Sequence, residues 1–129
     1  MRKIKFRAWN KQYKIMCYDN EDNTANYWDG YYNSVVGTLN YILLDDGKSF
    51  YELMQYTGLK DKKGKEIYEG DILKIENIDY AKVYYDEDRM AWGLQAIGEW
   101  YLDSPLLSDS TNLDLLVVGN IYDNPELLD

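Results

Sequence analysis

The chain has 129 residues, of which 46% are hydrophobic and 29% are charged, and it carries a net charge of −9. This length suits about one average domain, and the composition is that of an ordinary globular protein, which excludes collagen-like, broadly disordered and membrane-embedded classes. Because the sequence has no histidine and Cys17 is its single cysteine, it excludes a Ser-His-Asp triad, a Cys-His dyad and a cysteine or histidine zinc cluster, and no cofactor or metal is expected.

The N-terminal segment predicts a β-hairpin. Residues 3–8 alternate between cations and apolar residues, which predicts a strand with Ile4, Phe6 and Ala8 on one face and the cations on the other. Residues 10–12 are typical of a turn, and residues 13–18 fit the returning arm. Tyrosine, with 14 copies, is the commonest aromatic residue, and this aromatic content favours sheet throughout the chain.

The segment after this hairpin is less decisive. Residues 19–23 are acidic and polar like a calcium loop, but Thr24 and Gly30 stand where an EF-hand needs its glycine and its final carboxylate, so a solvated loop is favoured. Residues 34–44 have apolar side chains at helical spacing, which favours one short helix. Their β-branched residues and Gly37 also fit a strand, and both alternatives stay open.

Residues 50–129 contain further short strands separated by turns. The predicted strands are 51–56, 72–75, 81–85, 91–97 and 113–122. Gly64 can adopt the positive φ that closes a hairpin at residues 60–64. Asn124 followed by Pro125 predicts one capped helical turn near the end. Short strands at this spacing predict a mainly β fold, built as a small antiparallel sheet or barrel.

Three segments carry a resemblance to a known family. They are residues 4–11, 53–72 and 117–128, and the most specific of them runs from Leu53 through the lysine-rich turn to Ile72. In order and spacing the chain resembles the YopX family, small proteins typical of phages and prophages. It departs from the family pattern at Asn10, where aspartate is usual, at Lys63, where asparagine is usual, and at Asp123, where glutamate is common. All three replacements preserve the role of the position.

The resemblance implies a largely β protein whose C-terminal half is an SH3-like or pseudo-barrel. It implies one domain over residues 1–129, with an N-terminal hairpin and extension over about 1–49 and a barrel-like part over about 50–129. The family carries no established activity. A phage origin implies action in the bacterial cytoplasm, which agrees with the lone cysteine and with the absence of a signal-peptide or membrane-spanning pattern.

Two acidic clusters and one basic cluster are candidate sites. The segment Gly58–Glu66 resembles a phosphate-binding loop, but it has five residues between its glycines and a glutamate after Lys65, so a lysine-rich turn is favoured. Glu69 and Asp71 are more typical of turn building than of an acid–base pair. Residues 86–88 are three consecutive acids, which favour a hydrated hairpin tip over a divalent-cation site.

These clusters and the aromatic residues beside them define a predicted interaction surface. Tryptophan and tyrosine are expected mainly in the core or at interfaces, and less often as stacking platforms for bases. The candidate surface residues are Trp9, Tyr56, Lys60, Lys62, Lys63, Lys65, Tyr68, Glu69, Asp71, Asp86, Glu87 and Asp88. No catalytic residue is assigned.

The expected function is a non-enzymatic phage or prophage accessory protein that binds another protein, either a second copy of itself or a host factor. Residues 83–129 hold Arg89 against ten carboxylates, which disfavours nucleic-acid and anionic-membrane contact and is compatible with imitation of DNA charge. The alternative is a nucleic-acid-binding β-barrel that uses the basic N-terminal strand and the 60–65 lysine hairpin. No membrane partner is expected.

Overall fold

A computed structural model describes residues 5–18, 51–76, 79–98 and 105–128. The strands in these ranges are β1 Phe6–Asn10, β2 Ile15–Tyr18, β3 Tyr51–Lys60, β4 Glu66–Tyr68, β5 Asp71–Ile75, β6 Asp79–Asp86, β7 Ala91–Ile97 and β8 Leu115–Asn120. They form two four-stranded antiparallel sheets, one of which curls into a half-barrel. The predicted mainly β class is therefore confirmed. The predictions for residues 19–23 and 34–44 lie outside the described residues.

The chain forms two compact units, Lys3–Gln55 and Tyr56–Asp129. In the first unit β1 pairs with β2 and with the first half of β3. Ala8 lies opposite Cys17 on β2 and opposite Leu53 on β3. The predicted N-terminal hairpin is present, and its core contains Ala8, Cys17 and Tyr51.

The predicted division of β1 into an apolar and a cationic face is wrong. Arg7 is only 2% exposed, and Trp9, which lies on the same face of the strand, is also buried. The Arg7 guanidinium donates a hydrogen bond to the Tyr18 hydroxyl at 3.3 Å and lies 5.8 Å from the centre of that ring. Because both faces of this central strand are covered, its alternation does not separate a buried face from a solvated one.

In the second unit the sheet has the strand order β7-β6-β5-β8, so β7 and β8 are its edges among the described strands. Alternate residues of these strands point inward and form one core with residues from β4 and from the loop before β8. The buried members are Ile67, Leu73, Ile75, Ala81, Val83, Leu94, Leu107 and Leu115. The second half of β3 pairs with β4, and the turns of this unit project from the core.

Two short 3-10 helices, Ser108–Ser110 and Pro125–Leu128, complete the described residues. The second confirms the helical turn predicted after Asn124. The Asn124 side chain was expected to cap this helix, but its Oδ1 atom accepts the backbone N–H of Asn120 in β8 at 3.2 Å. The Asn124 carbonyl accepts the Leu127 N–H at 3.0 Å. No described helix is long and apolar enough to cross a membrane.

Candidate interaction site

Four residues of the predicted interaction surface are buried. Trp9 is 8% exposed, Tyr56 6%, Tyr68 4% and Asp71 2%. A partner cannot reach these side chains in the folded protein. The prediction that they belong to the interaction surface is therefore corrected. The physical reason is the size of the aromatic rings, which stabilise a small β protein most when they are withdrawn from water.

Tyr56, Tyr68 and Asp71 serve the local structure. The two tyrosines face each other across β3 and β4, with ring centres 5.5 Å apart. The Asp71 Oδ2 atom accepts the Tyr68 N–H at 2.8 Å and closes a turn in which Gly70 has a φ of 87°. Asp71 therefore builds the turn, as its position predicted. Glu69 is half-buried in the same turn.

The exposed predicted residues lie mainly on two hairpin tips of the second unit. We call residues 60–65, between β3 and β4, the lysine tip. We call residues 86–90, between β6 and β7, the acidic tip. Each tip contains an aspartate that accepts N–H groups of its turn, Asp61 in the lysine tip and Asp86 in the acidic tip, but the two aspartates have different surroundings.

In the lysine tip Asp61 is the organising residue. Its Oδ1 atom accepts the N–H groups of Lys63 and Lys65, both at 2.9 Å. Its Oδ2 atom accepts the N–H of Val117 in β8, also at 2.9 Å. Three backbone donors thus share one carboxylate that is only 9% exposed. Gly64, with a φ of 84°, completes the turn as the sequence predicted.

These contacts determine the protonation of Asp61. Burial raises the pKa of a carboxyl group, but the hydrogen bonds from Val117, Lys65 and Lys63 and the charge of Lys65 outweigh burial, so the pKa of Asp61 is lowered. The role of Asp61 as an acceptor of three backbone N–H groups was not predicted from the sequence. The available signal was an aspartate three residues before a turn glycine, a pattern in which the side chain binds nearby N–H groups.

The lysine tip is also fastened to the start of β8. The Lys62 N–H donates to the Leu115 carbonyl at 2.9 Å, and its ammonium lies 3.3 Å from the Asp114 carboxylate. A shallow polar depression of about 240 Å³ lies between Lys60–Lys62 and Thr111–Leu115. The side chains of Lys60, Lys62, Lys63 and Lys65 are exposed. The tip therefore presents cations to solvent while its backbone binds the sheet.

In the acidic tip Asp86 binds its own turn and the neighbouring Tyr84 of β6, whose hydroxyl donates to the Asp86 Oδ2 atom at 3.5 Å. Its Oδ1 atom accepts the N–H groups of Asp88 at 3.0 Å and Arg89 at 3.3 Å, and the Arg89 Nε donates to Oδ2 at 2.5 Å. The side-chain hydrogen bond from Arg89 is the largest cause that lowers the pKa of Asp86. Arg89 also donates to the Tyr84 hydroxyl at 3.3 Å. The positive charge of Arg89 neutralises the charge of Asp86. The net negative charge of this tip therefore comes from Glu87 and Asp88.

Exposed apolar groups accompany these acids. Met90 is 79% exposed and has a φ of 51°, a left-handed conformation that side-chain-bearing residues rarely adopt. Tyr85 is 40% exposed and packs edge-on against Trp92 in β7, with ring centres 5.0 Å apart. The acids were predicted from the sequence, but Met90 and Tyr85 were not, because a lone methionine or tyrosine has no pattern that separates surface from core.

Among the residues that the structure describes, no group of three cysteine, aspartate or glutamate side chains could hold a metal ion. Cys17 is buried, and burial raises the pKa of its thiol to about 11, so the thiolate nucleophile is scarce at neutral pH. The Asp61 and Asp71 carboxylates accept backbone hydrogen bonds.

The antiparallel fold with two charged hairpin tips defines a small β protein of the kind that the three sequence segments suggested. The YopX protein family model matches residues 5–129, and the chain belongs to this family. The chain is similar to the crystal structure of protein EF1440 from Enterococcus faecalis, with 28% identity, complete coverage of both chains and a TM-score of 0.60. No curated protein matches the sequence.

Proposed function

We propose that this YopX protein is a non-catalytic accessory module of a phage or prophage, which acts in the bacterial cytoplasm and binds a basic protein surface through its acidic tip. The observation that carries the proposal is Met90, a highly exposed apolar side chain held in a left-handed conformation. Glycine or asparagine would fit this backbone at lower cost. A large side chain held in such a conformation at a surface is a reason to infer a binding role.

The surroundings of Met90 support a protein partner with positive charge. Glu87 and Asp88 are exposed beside it, and Tyr85 adds a second apolar group on the same hairpin. Methionine and tyrosine are enriched at protein interfaces, where flexible or aromatic side chains supply contact area and charges at the rim guide association. Binding is expected to weaken as salt concentration rises.

Three described residues other than glycine have a positive φ: Lys14, Glu76 and Met90. Met90 is the apolar one of the three. This provides a matched pair of variants. Met90→Gly removes the side chain while the backbone conformation becomes less costly, so the protein should fold at least as well. Lys14→Gly makes the same backbone change in the turn between β1 and β2 and serves as the control.

The test is a pull-down from host lysate with mass-spectrometric identification, combined with light scattering of the purified protein. Met90→Gly and the double variant Glu87→Gln/Asp88→Asn should each lose a partner that wild type and Lys14→Gly retain, and that partner should be basic. If the partner is a second copy, light scattering will show an oligomer that Met90→Gly dissociates. A monomer that retains nothing, or retention that neither variant changes, would refute the proposal.

The second candidate function is nucleic-acid binding, and the observation that favours it is the exposure of four lysines on the lysine tip. The net charge of −9 opposes it. Arg7 is buried and Lys11 pairs with Glu52 at 2.8 Å, which weakens the contribution expected from the N-terminal strand. A gel shift at low salt decides: Lys63→Gln/Lys65→Gln should abolish any shift, and no shift at micromolar protein rules this candidate out.

A further inference from the structure

The strand β8 is an edge of the sheet in the second unit. An edge strand presents unpaired backbone N–H and C=O groups that can pair with a strand of another molecule, and proteins usually cover or interrupt such edges. Four contacts reach the backbone of β8 from outside its pairing with β5: the Asp61 and Asn124 side chains each accept one N–H, and the Lys62 and Asn124 N–H groups each donate to one carbonyl. These contacts begin at Leu115 and end at Asn120.

The lysine tip covers the first half of β8. The Lys62 N–H donates to the Leu115 carbonyl at 2.9 Å, and the Val117 N–H donates to the Asp61 carboxylate at 2.9 Å. One donor and one acceptor, placed two residues apart along β8, reproduce the pattern that a neighbouring antiparallel strand would offer. The Asp61 carboxylate takes the place of a strand carbonyl.

Asn124, in the turn that follows β8, covers the last residue of the strand. Its side-chain Oδ1 atom accepts the Asn120 N–H at 3.2 Å. It also lies so close to Gly119 that a Cβ atom at that position would meet the Asn124 Oδ1, Cγ and Cβ atoms. Between the two covers lies Val118, which is 40% exposed and stands at an irregularity in the pairing of β8 with β5.

We propose that Asp61 and Asn124 form an edge lock, two side-chain oxygens that occupy outward N–H groups of β8 and prevent this strand from pairing with β8 of a second copy of the chain. The lysine tip then serves as the cover of a sheet edge, whatever its lysines bind. The inference is independent of the proposed function, which concerns the acidic tip between β6 and β7.

The first experiment separates the lock from the turn. In Asp61→Asn, the side-chain oxygen can still accept the N–H groups of Lys63 and Lys65. The amide NH2 group would then face the Val117 N–H, and because both groups are donors this hydrogen bond is lost. Exchange of the Val117 amide, followed by NMR, should become about tenfold faster, the change expected for one lost hydrogen bond. The amides of Lys63 and Lys65 should keep their protection.

The second experiment tests what the lock prevents. Light scattering over a range of concentrations should show that Asp61→Asn/Asn124→Ala self-associates more strongly than wild type. Adding Val118→Lys should reverse the effect, since a charge on an edge strand opposes pairing. The matched control Asp109→Asn, at an exposed aspartate outside both tips, should leave both the Val117 amide and the self-association as in wild type.

Three results would overturn the inference. The first is an unchanged Val117 amide in Asp61→Asn, and the second is an equal loss of protection at Lys63 and Lys65, which would indicate general loosening. The third is faster exchange of the Val117 amide without increased self-association of the double variant. The N–H groups of β8 would then be unoccupied, and the strand would still not pair with a second copy.

Discussion

The two hairpin tips of the second unit use the same local chemistry for different ends. Asp61 and Asp86 each accept two backbone N–H groups of their own turn through one carboxylate oxygen. The second oxygen makes the difference. In Asp61 it accepts the N–H of Val117 in the distant strand β8, and in Asp86 it accepts Arg89 of the same tip and the Tyr84 hydroxyl of the adjoining strand β6. One tip is therefore fastened to a distant strand, whereas the contacts of the other stay within its own hairpin.

This difference shows how a charged turn should be interpreted. Charge alone made both tips candidate surfaces, yet a carboxylate that satisfies buried backbone donors is a structural group whatever its formal charge. In the lysine tip, the exposed lysines surround a carboxylate of this kind, that of Asp61. The acids of the second tip, Glu87 and Asp88, stand beside the exposed Met90.

The largest expected effect is on stability at Asp61. Asp61→Ala leaves the N–H groups of Lys63, Lys65 and Val117 without their acceptor, and we expect the free energy of unfolding to fall by about 3 kcal/mol. Urea unfolding measures the change. Asp86→Ala, the matched variant, should leave the urea midpoint almost unchanged because water replaces the lost contacts. Equal losses for the two variants would contradict the comparison.

A smaller effect is expected at Gly93 in β7, beside the acidic tip. An added Cβ atom would lie 2.8 Å from the Tyr84 ring, whose hydroxyl accepts a hydrogen bond from Arg89. Gly93→Ala should therefore displace the ring and lower the free energy of unfolding by about 2 kcal/mol, as overpacking does. Thermal unfolding of the variant, compared with Gly93→Ala/Tyr84→Ala, checks the cause: stability should partly return when the ring is absent.

Gly64 in the lysine tip should respond for another reason. Its surroundings are open, and its φ of 84° is the constraint. Gly64→Ala should cost about 1 kcal/mol, and Gly64→Asn should cost less because asparagine tolerates the left-handed conformation. Chemical denaturation of the two variants gives the order. If asparagine is no better than alanine, backbone conformation is not the constraint at this tip.

The smallest expected effect is a pH dependence. The folded-state pKa of Asp61 is lowered, so its contribution to stability is present above the unfolded-state pKa of about 4 and is lost as pH falls through the lower folded value. Urea unfolding at pH 7 and at pH 3 should show a smaller loss in Asp61→Asn than in wild type. The pKa of Asp86 is also lowered, but its contacts stay within its own hairpin, so it should contribute less to the pH dependence, and Asp86→Asn checks this.

Much of the fold was accessible from the sequence. The hairpin of β1 and β2, the Gly64 turn and the strands on both sides of residues 86–89 follow from period-two alternation and from turn residues, which are local signals. Asp71 was correctly assigned to turn building from its place beside Gly70. These features depend on residues a few positions apart, and neighbours in sequence determine them.

The candidate site was accessible only in part. The exposed lysines and the acids of residues 86–88 were predicted, but Met90 and the structural role of Asp61 were not. Trp9 and Arg7 were placed wrongly, since an alternating strand does not reveal whether its second face is covered. The bond from Val117 to Asp61 joins residues 56 positions apart, and no local pattern signals such a contact.

The mainly β class, the turns and the family resemblance of three separated segments could be read from the amino-acid sequence, because backbone propensity and side-chain alternation act over a few residues. Which charged turn is fastened to a distant strand, and which stays a surface, depends on the folded chain. That choice depends on which backbone groups of a distant strand lie within hydrogen-bonding reach, and chain folding alone brings them together.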